Sequence, residues 1–145
     1  MAAPHGGVPI GLQLARTTHV LTQEFERAMT QAGASAAAWQ VLVAVRSGRG
    51  GTQGELARVM GLTGATLTYH LNALERDGLV RRWRDPANRR VQRTELTDDG
   101  VAVFDRLRHV AARHDARIRT LLGEKDVHAL SDLLGRLSAG FADPA

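Results

Sequence analysis

Six arginines fall within residues 81–93 (Arg81-Arg82-Trp83-Arg84-Asp85-Pro86-Ala87-Asn88-Arg89-Arg90-Val91-Gln92-Arg93) against a single aspartate. The segment carries +5 while the whole chain carries +4, so everything else sums to −1. Guanidinium groups stay charged and pair with planar oxyanions, and a patch of them points to an anionic partner. Just before it, Thr66, Tyr69, Asn72 and Arg76 recur at helical spacing opposite Leu67, Leu71 and Leu74, with Thr63, Ala65 and Thr68 at the start of the same segment. Short hydroxyl and amide groups on one helical face can reach base edges and phosphates in a major groove, and a helix N-terminus favours phosphate. The bland reading, a solvated helix face, must also account for the +5 segment beside it. Phosphate charge dominates DNA affinity, so we read the pair as a DNA-contacting surface that also includes Arg82, Arg84, Arg89 and Arg90.

Other chemistries find little support. The chain has no cysteine, which removes disulfides, thiolate metal sites and cysteine nucleophiles together. Thr68, Tyr69 and His70 are consecutive, so on a helix their side chains diverge. No glycine-rich phosphate loop, nucleophile elbow or paired-carboxylate site occurs, and we expect no enzyme, no catalytic residue and no cofactor. Asp105 and His109 are one helical turn apart, but His109 and His114 are five residues apart, poor for joint ligation. No metal site is expected, and a metal-sensing repressor is kept only as a minor alternative.

The 145 residues match one compact domain, 1–145, with 43% hydrophobic and 23% charged residues. Only six aromatics occur, so the core must be largely aliphatic. No apolar run approaches the roughly 18 residues of a membrane span, and the first basic side chain is Arg16, unlike a secretory leader. A cytoplasmic protein is expected. Residues 1–8 read as a frayed end. Ile10, Leu14, Leu21 and Phe25 form a helical stripe to about Met29, closed by Gly33; Ser35 caps a second helix that stops before the glycine-rich 47–51. Thr52-x-x-Glu55 is a capping box for a short helix carrying Leu56, Val59 and Met60 inward, and Gly61 ends it. A further helix spans about 64–77 and ends at Gly78; then 79–84 and 90–96 read as strands around Asp-Pro-Ala-Asn.

Thr97-Asp-Asp caps a long helix with the seam Phe104, Leu107, Ala111, His114, Ile118 and Leu121, and a last helix repeats it at Val127, Leu130, Leu134, Leu137 and Phe141. Such heptad-like seams suit a partner chain better than a small core. Two helices around a tight turn followed by a basic hairpin make the winged helix-turn-helix plan: mainly α with a small β wing, the long terminal helices forming a homodimer interface.

This plan resembles the multiple-antibiotic-resistance regulator (MarR) family of transcription factors over about residues 10–142, with a headpiece at about 35–96 and dimerisation helices at about 10–33 and 97–142. The most specific match runs from Gly78-Leu79-Val80 through Asp85-Pro86-Ala87-Asn88-Arg89-Arg90 to Leu96-Thr97-Asp98-Asp99-Gly100. Asn88 stands where the family commonly has an aspartate that orients the wing-tip arginine, and Tyr69 replaces a common arginine. The resemblance implies a homodimer on a pseudo-palindromic double-stranded operator, most often a repressor released by a small aromatic or anionic effector. It puts Arg90 at the minor groove, and Trp39 beside the effector cleft with Arg16 and His19 nearby. From the residues alone, Trp39 packs in the core. His70 is a satisfied core histidine, with ligand or pH sensing as its alternative. The other function class is a winged-helix protein-interaction module without DNA binding.

Overall fold

The computed structural model describes residues 7–48 and 52–142. Most of the frayed end expected at 1–8, and 49–51 of the glycine-rich stretch, lie outside the described residues. The elements are α1 (Ile10–Gln31), α2 (Ala36–Ser47), α3 (Gln53–Met60), α4 (Gly64–Arg76), β1 (Val80–Arg84), β2 (Gln92–Leu96), α5 (Asp98–Leu122) and α6 (Glu124–Ala142). By its contacts the chain divides into two units, Met1–Val110 and Ala111–Ala145.

Local chemistry starts the helices where caps were expected. Ser35 Oγ accepts from the Ala38 N–H at 3.0 Å, and Thr52 Oγ1 accepts from Glu55 N–H at 3.1 Å. Thr97 Oγ1 accepts from Gly100 N–H at 3.0 Å and donates to the Gly78 carbonyl at 2.6 Å, so one hydroxyl opens α5 and ties it to the start of the wing. Thr63 opens α4 in the same way, its Oγ1 accepting from Thr66 N–H at 3.2 Å. Gly61 turns α3 into α4 at φ +65°, where a β-carbon would be strained.

The core of the first unit is aliphatic: Met29, Val41, Leu42, Leu56, Leu67, Leu71 and Leu107 are fully buried. Leu67, Leu71 and Leu74 turn one face of α4 inward, which leaves its opposite face available. Val59 departs from expectation and is 56% exposed. On a helix as short as α3, Leu56, Ala57 and Met60 share the inward arc, and Val59 lies about 100° off it.

The wing is an antiparallel hairpin pairing Val80 with Leu96, Arg82 with Thr94 and Arg84 with Gln92. Thr52 adds an isolated bridge to Arg93. Both strands are shorter than the expected 79–84 and 90–96. Val91 N–H bonds to the Asn88 carbonyl at 2.9 Å and Arg90 N–H to Asn88 Oδ1 at 3.2 Å, which keeps 89–91 in the turn.

The long helices expose much of their apolar seams. On α1, Ile10 and Leu21 are exposed, and Leu14 and Phe25 are half-buried. In the second unit, α6 buries no residue, and Leu130, Leu134, Leu137 and Phe141 are exposed.

Candidate nucleic-acid interface

Alternation along β1 assigns its arginines. Val80, Arg82 and Arg84 share one face, and buried Val80 shows that this face turns toward the core. Arg82 is accordingly seated against α4, its side chain only 11% exposed. The two N–H groups of its Nη2 donate to Glu75 Oε1, at 3.0 Å, and to Asn72 Oδ1. The Arg82 hydrogen bond, with desolvation opposing and the cation's field assisting, holds the Glu75 carboxyl below its ordinary range. Arg82, expected among outward cations, therefore clasps the helix to the hairpin.

The other wing arginines divide into paired and open groups. Arg81 is paired with Glu95 across the hairpin, its guanidinium 5.3 Å from the Trp83 ring centre. Arg93 Nε donates to Asp85 Oδ2 at 2.9 Å. Asp85 Oδ1 accepts from Ala87 N–H at 2.8 Å and Asn88 N–H at 3.3 Å, an Asx turn that shapes the tip. These bonds, that from Arg93 foremost, hold Asp85 below the usual carboxylate range. Asn88 binds the Arg90 backbone N–H rather than any guanidinium, so Asp85 is the carboxylate that organises this tip. Arg84 donates to the Arg89 carbonyl at 2.9 Å. Arg89 and Arg90 are exposed, and their guanidinium groups have no partner among the described residues.

On α4, Ala65, Thr66, Tyr69, Asn72 and Arg76 are exposed, as is Thr63 at its cap. Thr68 is half-buried and accepts from Gln53 Nε2 at 2.8 Å, a link between α3 and α4 that the sequence pattern did not indicate. A cleft of about 450 Å³ joins these parts: Gln53, Gly64 and Thr68 line one side, Arg84, Arg90 and Gln92 the other. The start of α4 and the wing tip thus border one concave, cationic space, suited to a phosphate chain.

The expected ligand residues do not gather. His70 is half-buried rather than in the core, its ring edge-on to Tyr69 with centres 5.4 Å apart. It lines a second cleft of about 810 Å³ with Thr30, Leu42, Asp77 and Arg106. Trp39 stacks on Phe104 at 5.3 Å and lines a separate hollow with Val43 and Val59. Arg16 and His19 are exposed on α1 and line neither. Sequence reasoning missed Arg106, because nothing in its spacing marks which turn of α5 faces α2 and α4. Glu75 was also missed, though strand alternation from Val80 would have pointed Arg82 toward it. Among the described residues no group of three or more His, Cys, Asp or Glu could hold a metal ion, and no helix is long and apolar enough to cross a membrane.

Comparison with known proteins converges on one family. A family model described as "MarR family" matches residues 32–91. The chain is similar to the transcriptional repressor CouR, seen bound to a 23-mer DNA duplex, at 30% identity and TM-score 0.83, covering 90% of this chain and 92% of that one. It is similar to a variant of MarR from E. coli complexed with operator DNA, at 25% identity and TM-score 0.75, covering 86% and 93%. The HTH-type transcriptional regulator PecS of Dickeya dadantii is 25% identical over 86% of this chain and 76% of its own length.

Proposed function

The chain belongs to the MarR family of transcriptional regulators, and from that premise we propose that it binds a pseudo-palindromic DNA operator as a homodimer and acts as a repressor. The observation that carries the reading is the cleft bordered by the first turn of α4 and by Arg84 and Arg90 of the wing. The outward groups of α4 and its cap enter the major groove, where Thr66, Tyr69 and Asn72 meet base edges and Thr63, Ala65, half-buried Thr68 and Arg76 meet the backbone or the groove wall. Arg90 enters the neighbouring minor groove, deepest in negative potential where A·T-rich sequence narrows it, and Arg89 and Arg84 meet the flanking phosphates. CouR and MarR on their duplexes support this reading.

The whole chain then works as one regulator in the cytoplasm, with no enzymatic step. A small anionic or aromatic effector enters the cleft lined by His70 and Arg106, whose guanidinium has no partner among the described residues. Arg16, His19 and Trp39 lie outside this cleft's lining.

The test is a titration of the full chain against fragments selected from its own genome and against random duplex, at several salt concentrations. Binding to a selected fragment at least about 10³-fold tighter than to random DNA, with a steep inverse salt dependence, is expected. Affinity that is weak and equal for all duplexes would favour the interaction-module reading.

A further inference from the structure

Asn72 carries one acceptor and an amide with two donor hydrogens, and the structure commits the acceptor. Its Oδ1 accepts from the Arg82 guanidinium. A guanidinium has donors only, so the amide cannot turn round without setting N–H against N–H. Nor is Arg82 free to leave, because it also donates to both Glu75 oxygens, at 3.0 and 3.4 Å, and its side chain is 11% exposed. Asn72 and Glu75 are one helical turn apart, so two acceptors sit side by side on α4 facing β1. The Asn72 Nδ2 group has no partner among the described residues, and the residue is exposed on the face read as the groove-facing one.

We propose that Arg82 is a positioning residue that sets base specificity: by holding the Asn72 carbonyl, it leaves Asn72 as a donor matched to guanine. The inference rests on the DNA-binding reading above. An asparagine with both groups free pairs bidentately with adenine, donating to N7 and accepting from the N6 amino group. With Oδ1 held by Arg82, what faces the groove is a two-hydrogen donor. The guanine edge offers N7 and O6 side by side, both acceptors, whereas adenine sets its own amino donor beside N7 and repels a second one. Arg82 thus acts on sequence choice without touching DNA.

The experiment is selection from random duplexes by the full chain, its Asn72→Ala variant and its Arg82→Leu variant, each verified as folded by circular dichroism. Wild type should select guanine at one position of each half-site. Asn72→Ala should lose that preference by about tenfold while keeping the others. Arg82→Leu should admit adenine at the same position, because the freed amide can then present both groups. Adenine at that position for wild type, an unchanged guanine preference in Arg82→Leu, or no altered position in Asn72→Ala would each overturn the proposal. Should Arg82→Leu fail to fold, wild-type protein is titrated with a duplex carrying 7-deazaguanine at the selected position. Several-fold weaker binding by wild type, absent in Asn72→Ala, is expected, and equal binding by wild type overturns the proposal. Failure of the DNA-binding reading is distinguishable, since wild type would then enrich no sequence in the first round, and the proposal falls with it.

Discussion

The six wing arginines hold different jobs, and their partners separate them. Arg81, Arg82 and Arg93 are paired with Glu95, Glu75 and Asp85; Asp85 is already counted in the +5 of residues 81–93, so Glu95 and Glu75 offset two of those five charges. Exposed ion pairs contribute little energy, about 0–1 kcal/mol, and serve here mainly to aim what they hold. Arg89 and Arg90 are the tip cations left for DNA. Arg90→Ala should weaken binding to operator and random duplex alike and lower the slope of log affinity against log salt by about one unit, read from titrations across a salt series. Unchanged binding to both at every salt would remove the wing from the interface. Titration offers a second check. Glu75 and Asp85 are depressed by the Arg82 and Arg93 hydrogen bonds, so their contribution to folding is present above the unfolded-state value and is lost as pH falls through the depressed folded value. Carboxyl-detected NMR should show Glu75 titrating at higher pH in Arg82→Leu, with Asp85 unmoved.

At the scale of elements, Gly100 is the tightest joint. A β-carbon there would lie 1.9 Å from the Leu79 carbonyl oxygen and 2.9 Å from its carbonyl carbon, both backbone atoms that cannot step aside. This close approach is what lets Thr97 bond to Gly78 while opening α5, so wing and helix share one anchor. Gly100→Ala should force β1 and α5 apart and cost about 3 kcal/mol or more by urea denaturation. Gly135 has open space around its β-position, so Gly135→Ala on α6 serves as the control, with a gain of up to about 1 kcal/mol expected from helix propensity. Equal effects at the two sites would show that the contact at Gly100 is not tight in solution.

At the scale of the molecule, each unit exposes large apolar side chains. Ile10, Leu12, Val20 and Leu21 are exposed in the first; Leu121, Leu130, Leu133, Leu134, Leu137 and Phe141 are exposed in the second. Exposed apolar side chains mark protein interfaces, and the four-three-four spacing of Leu130, Leu134, Leu137 and Phe141 on α6 suits helix packing against a second copy. The double variant Leu130→Glu with Leu134→Glu should sediment as monomer or fail to fold, whereas wild type should sediment as dimer in analytical ultracentrifugation. A dimer unchanged by the double substitution would place the interface elsewhere.

Much of this was legible in the residues themselves. Ser35, Thr52 and Thr97 are caps because a short hydroxyl bonds the N–H three residues on, a reach set by local geometry that needs no tertiary contact. The stripe of Leu67, Leu71 and Leu74 likewise fixed which face of α4 is buried, and so which groups it exposes. The directions of individual side chains across elements were not legible. Arg82 and Arg84 share one face of β1, yet the packing of β1 on α4 presents Glu75 and Asn72 to Arg82, while the hairpin turn presents the Arg89 carbonyl to Arg84. His70, expected in the core, lines a cleft, because α2, α4 and α5 do not close over it, and Val59 faces outward because α3 is too short to bury a wider arc. Helical and strand periods are short-range and written in the chain, whereas pairing between distant groups depends on how elements cross, which is decided only when the core closes.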